Sequence, residues 1–143
     1  KGFDMIGWRM GWVCGNERIV SAFSDVKDNT DSGQFIAIQK AAIAALDNDA
    51  LPKAIAEKYR RRLEKLVAML SRCGIPASMP GGTYFLYTPS PKKVAEQSIC
   101  TVPWDDAGPY LRFSVTYEAE DAAQEDRLMA ETESRLKEVA FEF

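Results

Sequence analysis

The chain has 143 residues, of which 46% are hydrophobic and 27% charged, and its formal net charge is −3 at neutral pH. This size and composition are typical of a globular chain with a core and exclude disordered and fibrous proteins. The longest block of one charge sign, Arg60–Arg62, is too short to indicate a nucleic-acid or membrane partner. Because no long apolar stretch or secretory leader is present, we expect a cytoplasmic protein with a small-molecule partner.

The chain contains no histidine, which excludes Ser-His-Asp and Cys-His catalytic systems and most zinc sites from this segment. Its three cysteines, Cys14, Cys73 and Cys100, are odd in number and widely separated. They predict neither a disulfide framework nor a metal-ligand pair, and we interpret them as buried free thiols. We therefore predict no metal site, and acid–base chemistry must fall to Lys, Asp, Glu, Tyr or Cys.

The first third of the chain predicts a strand followed by two helices. An apolar run at residues 10–14, bounded by glycines, fits a buried strand. Asn16 can cap a short helix, and the turn-rich stretch 26–33 predicts a loop before the second helix. One strand and two helices cannot bury themselves, so we interpret residues 1–46 as the end of a parallel-sheet domain whose other strands are absent.

The strongest local signal is the next helix, in which Pro52 fits the first turn and Gly74 the C-terminal stop. Its apolar residues recur at three- and four-residue spacing: Leu51, Ile55, Tyr59, Leu63, Leu66 and Leu70. We interpret its arginine triplet, residues 60–62, as a solvated outer face.

After this helix the pattern changes to short strands closed by an amphipathic helix. The strands are predicted at about residues 75–78, 83–87, 98–103 and 110–116, and the helix at about 119–139. We therefore divide the chain after residue 46, so that residues 47–143 comprise an interdomain helix and a small α+β domain.

The chain opens with Lys1, followed eight residues later by Arg9 in the run Gly-Trp-Arg-Met-Gly-Trp. This segment resembles the cofactor-lysine segment of the fold type I aminotransferases, which use pyridoxal 5′-phosphate. The resemblance implies that Lys1 is the catalytic residue, bonded to the cofactor, and that Arg9 binds the cofactor phosphate. An amine can form Schiff bases, and a guanidinium matches phosphate oxygens. Taken alone, Lys1 would instead be a solvated terminal charge, and Arg9 a surface ion pair.

Two later segments carry the same resemblance. Residues 109–116, Pro-Tyr-Leu-Arg-Phe-Ser-Val-Thr, resemble the family's C-terminal strand, which implies that Arg112 binds the substrate α-carboxylate. A two-point guanidinium–carboxylate pair would fix the substrate's orientation. The alternative is an edge strand with Arg112 facing water. Residues 79–87 resemble a strand of the family's small domain. This motif alone is weak, but its position between the Lys1 segment and the Arg112 segment supports the resemblance.

Residues 28–35 and 98–106 are similar to the LL-diaminopimelate aminotransferases. By that resemblance Asn29 reaches the active site of the neighbouring subunit in a homodimer and contacts substrate or cofactor. The alternative is a turn-forming asparagine. Members of this subfamily have a longer connection, with a helix, than residues 91–97 provide, so we expect residues to be missing near residues 90–97. The alternative is a truly shortened loop.

The resemblance implies an α/β chain that forms the C-terminal part of the pyridoxal-phosphate-dependent transferase fold: the end of the large parallel-sheet domain and the small α+β domain. It implies amino-group transfer between an amino acid, LL-2,6-diaminopimelate in this subfamily, and a 2-oxo acid. Other fold type I enzymes, such as aspartate or alanine aminotransferases and β-lyases, and a ligand-binding domain without chemistry remain open. Since the acid for the pyridine nitrogen and the ring-stacking aromatic are absent, we expect the 143-residue chain alone to be inactive.

Overall fold

The computed structural model describes residues 2–89, 99–104 and 108–139. The chain divides into two compact units, Lys1–Ala56 and Glu57–Phe143. The boundary between them lies within the longest helix; the division after residue 46, made from the sequence, stays a prediction. No helix in the described ranges is long and apolar enough to cross a membrane.

The first unit contains a short 3-10 turn at Ile6–Trp8 and the helices α1 (Glu17–Asp28) and α2 (Ile36–Leu46). The predicted cap of α1 is confirmed, since the Asn16 side chain accepts a hydrogen bond from the Arg18 N–H at 3.0 Å. The helix runs further than the sequence predicted, into the expected loop.

Side chains at the end of α1 explain the extra turn. Asn29 Nδ2 donates to the Asp25 carbonyl and Thr30 Oγ1 to the Val26 carbonyl, both at 2.7 Å. Lys27 also pairs with Asp31 at 2.7 Å. These side-chain contacts stabilise the last turn of α1, so the helix runs to Asp28 before Asn29 caps its end.

The buried strand predicted at residues 10–14 does not form. A strand needs a neighbour with which to exchange backbone hydrogen bonds, and in the described ranges none pairs with this segment. Residues 10–14 are apolar, but the prediction that they form a buried strand is wrong for this chain.

No described residue between positions 2 and 56 is buried. Many of its large apolar side chains are instead exposed, among them Trp8, Trp12, Ile19, Phe23, Val26, Phe35, Ile36, Ile43 and Leu46. The first unit thus has helices but no core of its own.

The second unit is built on the long helix α3 (Ala50–Arg72), most of which it contains. Three antiparallel strands follow: β1 (Phe85–Pro89), β2 (Val102–Trp104) and β3 (Tyr110–Ser114), in the order β1-β3-β2. Helix α4 (Ala122–Lys137) closes the unit. The core lies on one face of the sheet and consists of Leu63, Leu66, Met69, Leu70, Ile75, Leu86, Leu111, Phe113, Val115 and Leu136.

The predicted stop of α3 is confirmed: Gly74 adopts φ 77° and Ile75 donates its N–H to the Leu70 carbonyl at 2.9 Å. The strand predicted at 75–78 is absent, because the turn sends Ile75 directly into the core. The later strands form, with shifted or shorter bounds. The connection near residues 90–97, where we expect residues to be missing, lies outside the described residues.

The arginine triplet on α3 is not a uniformly solvated face, which corrects the sequence interpretation. Arg62 is only 3% exposed, and its Nε lies 2.7 Å from Oε1 of the equally buried Glu125 on α4. Its Nη1 donates to the carbonyl of Tyr117 at 2.8 Å. Three consecutive residues cover more than half of a helix circumference, so one of them had to face the core.

Glu125 is the centre of this buried cluster. Arg61 and Lys65 also reach its carboxylate, at 3.2 and 3.3 Å. Burial raises the pKa of Glu125, but hydrogen bonds from Arg62, Arg61 and Lys65 outweigh it and lower that pKa from 4.5 to about 2. The cluster ties α3 to the first turn of α4 and to the backbone that follows β3.

The cysteines are free but not buried, contrary to the sequence interpretation. Cys14 and Cys100 are exposed and Cys73 is half-buried. Cys14 lies in the first unit, in which no described residue is buried. Its apolar neighbours in the sequence therefore do not shield it from solvent.

Candidate substrate and cofactor site

Arg112 lies in β3, the central strand of the sheet, and not on an edge. The alternative of an edge strand facing water is therefore wrong. Along β3, Leu111 and Phe113 point into the core while Arg112 lies on the opposite, partly open face. The sheet thus places the guanidinium group on the face that the core leaves free.

The surroundings of Arg112 are aromatic. Tyr87 of β1 and Val102 of β2 are its direct cross-strand partners. The Cζ atom of Arg112 lies 5.1 Å from the centroid of the Phe85 ring. Its Nε is buried and has no hydrogen-bond partner among the described residues. A buried donor without an acceptor is costly, and an anionic ligand would provide the missing acceptor.

Arg9 is exposed and follows the 3-10 turn with φ 55° and ψ 39°. Asp4, five residues earlier, also has a positive φ, of 54°. Non-glycine residues in the left-handed region are uncommon and concentrate at functional sites. The strained segment forms an open concavity of about 280 Å³ lined by Met5, Ile6, Arg9, Met10 and Gly11.

The other two candidate site residues are Lys1 and Asn29. Lys1 lies outside the described residues, so its role stays a prediction. Asn29 is the C-cap of α1 and is exposed, and its amide is held by the Asp25 carbonyl of the same helix. Within this chain Asn29 therefore ends a helix, and its predicted contact with a neighbouring active site is untested.

Sequence reasoning missed two features of the second unit. The first is Phe85 beneath the Arg112 guanidinium. The second is the buried Arg62–Glu125 pair. Both depend on side chains from separate elements, although Arg62 could have been suspected because it lies four residues before Leu66 on the apolar side of α3.

Comparison with known proteins decides the family. The model of aminotransferase class I and II matches residues 1–125. The chain belongs to this family. LL-diaminopimelate aminotransferase of Methanocaldococcus jannaschii is 42% identical over 167 positions, which cover the whole chain and 40% of that protein. The enzyme of the same name from Methanococcus maripaludis is 42% identical over 165 positions, again covering the whole chain and 40% of the relative.

The fold is shared with class I aminotransferases of known structure. Aspartate aminotransferase from Thermus thermophilus with maleate superposes with a TM-score of 0.82 at 24% identity, over 98% of this chain and 39% of that one. The chain thus spans about 40% of the length of the relatives it matches. The matched stretches exceed the 143 residues present, so the relatives contain additional residues within the match.

The family uses pyridoxal 5′-phosphate, and the described residues fit that group. The Arg9 concavity offers a guanidinium and a strained, glycine-containing backbone to a phosphate. Arg112 offers a second cation, with a buried Nε still lacking an acceptor. The residues therefore provide for two separate anionic groups.

Proposed function

We propose that the whole enzyme containing this chain transfers an amino group between an amino acid and a 2-oxo acid with pyridoxal 5′-phosphate. The observation that carries the proposal is Arg112, a cation on the central strand whose buried Nε has no acceptor among the described residues. The family match and the two relatives support the reaction class.

In this proposal Lys1, Arg9 and Arg112 each have a separate role. Lys1 would hold the cofactor through its amine and, once the substrate amine has displaced it, would act as the proton shuttle at the substrate Cα. Arg9 would bind the cofactor phosphate, and Arg112 would bind the substrate α-carboxylate and so fix the orientation of the Cα–H bond. When bound, the cofactor supplies an electron sink for charge that develops at Cα.

We further propose LL-2,6-diaminopimelate as the amino donor. The support is the similarity of residues 28–35 and 98–106 to that subfamily, together with the two relatives of that name. The proposed enzyme is a homodimer that acts in the cytoplasm, with Asn29 reaching substrate or cofactor in the neighbouring active site.

The test compares amino donors in the full-length enzyme with 2-oxoglutarate as the acceptor. We expect a higher kcat/KM for LL-diaminopimelate than for aspartate or alanine. A preference for aspartate of about tenfold or more would reject this donor while leaving transamination standing. Products other than an amino acid and a 2-oxo acid would point to a β-lyase, and a full-length protein without visible cofactor absorbance would reject the enzyme altogether.

A further inference from the structure

The guanidinium of Arg112 rests on an aromatic ring from the neighbouring strand. Phe85 pairs with Ser114 in the sheet register, so it lies diagonally from Arg112 on the same face. The separation of 5.1 Å between Cζ and the ring centroid is within the range of a cation–π contact. Arg112 therefore leans along the sheet towards Phe85.

The Phe85 ring is itself held from two sides. It meets Tyr84 edge-on, with centroids 5.5 Å apart and planes at 85°, and Tyr87 edge-on at 5.6 Å and 80°. Tyr84 in turn packs against Tyr59 of α3 at 5.6 Å. A chain of rings thus connects the long helix to the ring under Arg112: the Tyr59–Tyr84 pair is tilted, at 43°, and the two contacts of Phe85 are edge-to-face.

This support matters because hydrogen bonds do not orient the buried part of the side chain. Nε of Arg112 has no partner among the described residues. An arginine side chain has many rotamers, and holding one of them costs conformational entropy. The contact with the Phe85 ring therefore restrains the guanidinium where no hydrogen bond at Nε does so.

We propose that Phe85 is a positioning residue that fixes the plane of the Arg112 guanidinium for a carboxylate. The inference rests on the proposed function, in which that carboxylate is the α-carboxylate of the substrate. Phe85 itself need not touch the substrate. Its effect should therefore be shared by all amino acid and 2-oxo acid substrates, and should disappear when Arg112 is no longer a cation.

The experiment uses Phe85→Leu and Phe85→Met in the full-length enzyme, because both keep an apolar side chain but remove the ring. Loss of a cation–π contact should lower kcat/KM by about three- to thirtyfold, to a similar extent for every substrate. Phe85→Tyr keeps the ring and should restore most of the activity. Phe23→Leu, which removes a ring from α1, is the matched control and should lower kcat/KM less than Phe85→Leu does.

A second comparison separates positioning from general damage. In an Arg112→Gln background, Phe85→Leu should lower the remaining kcat/KM by less than about twofold, since a residue that acts through Arg112 has nothing left to position. A full loss in both backgrounds, a loss confined to one substrate, or no rescue by tyrosine would overturn the inference.

Failure of the proposed function gives a different result. A parent enzyme that transaminates no amino acid would reject the function, and the affinity for maleate then tests Phe85 directly. Maleate has two carboxylates but no amino or oxo group. Equal maleate affinity in the parent and the Phe85→Leu variant would overturn the role of Phe85, whereas weaker affinity in the variant that tyrosine restores would support it.

Discussion

The two units differ in how far their apolar side chains are buried. In the first unit, none of residues 2–56 is buried, and its tryptophans, isoleucines and phenylalanines are largely exposed. In the second, ten buried residues form one cluster; eight come from α3, the sheet and α4, and Ile75 and Val115 follow α3 and β3. The first unit nevertheless contains three of the four candidate site residues, Lys1, Arg9 and Asn29. Most candidate site residues therefore lie in the unit that has no core of its own.

Helix α2 shows what the first unit lacks. Ile36, Ile43 and Leu46 are exposed on one side, while Ile38 and Ala42 are only half-buried on another. A helix that is apolar all round is typical of the interior of a larger protein. The second unit shows the contrasting pattern, since α3 buries one stripe and exposes charged residues elsewhere. The predictions below test whether stability and chemistry are separated in this way.

Lys1→Ala in the full-length enzyme should have the largest effect. Loss of a covalent catalyst normally costs several kcal/mol of barrier, so we expect turnover to fall by at least about a thousandfold. Some cofactor should still bind through Arg9, without the absorbance of the lysine-bonded form. Lys40→Ala, at an exposed position on α2, is the control. Turnover above about a thousandth of the parent's would reject Lys1 as the catalytic residue.

Glu125→Gln should strongly destabilise the second unit. It leaves Arg62 buried without its counter-ion, which typically costs about 3–5 kcal/mol of unfolding free energy. Glu131→Gln, on the same helix, breaks only the exposed pair with Arg135 and should cost less than about 1 kcal/mol. Denaturant unfolding of both variants measures the difference, and similar losses would contradict a special role for the buried pair.

The same carboxylate predicts a dependence of stability on pH. The pKa of Glu125 is about 2 in the folded chain, below its ordinary value of 4.5. Its contribution is therefore fully present above pH 4.5 and is lost as the pH falls towards 2. Glu125→Gln should lose less stability than the parent over this interval. An equal acid dependence in the two proteins would assign the effect to other groups.

Leu70→Ala and Ile43→Ala compare the units directly. Leu70 is fully buried in the core, so its truncation should cost about 2–5 kcal/mol in the 143-residue chain. Ile43 is 60% exposed, and its truncation should cost less than about 0.5 kcal/mol there. In the full-length protein, where we expect α2 to be covered, Ile43→Ala should become more costly. Equal costs in the short chain would show that the first unit has a core after all.

The sequence predicted the helices well because their signals are local. The spacing of apolar residues identified α3 and α4, and Asn16 and Gly74 marked a helix start and a helix stop correctly. Strands were harder, because a strand forms only with a partner that the local pattern does not reveal. Residues 10–14 have the right composition but no neighbour among the described residues, so no strand forms.

The candidate site shows the same difference between local signals and contacts of distant elements. The motif containing Arg112 was found from its resemblance, and the structure adds that the strand is central and the residue half-buried. Its support by Phe85, 27 positions earlier, depends on the pairing of β1 with β3. The burial of Arg62 depends on Glu125, which comes from another helix. Contacts between distant elements leave little trace in a single sequence.

Arg112→Lys should lower turnover less than Lys1→Ala does, and it tests the substrate contact apart from the cofactor. Lysine keeps the charge but loses the planar fork, so the substrate can bind yet turn away from the perpendicular Cα–H geometry. We expect kcat/KM to fall by at least about tenfold, or about 1.4 kcal/mol. The loss should be similar for every amino acid, because all share the α-carboxylate, and the cofactor spectrum and thermal stability should stay near the parent's. A change in one substrate only, or a bleached cofactor, would place Arg112 elsewhere in the site and would move substrate binding away from the open face of the sheet.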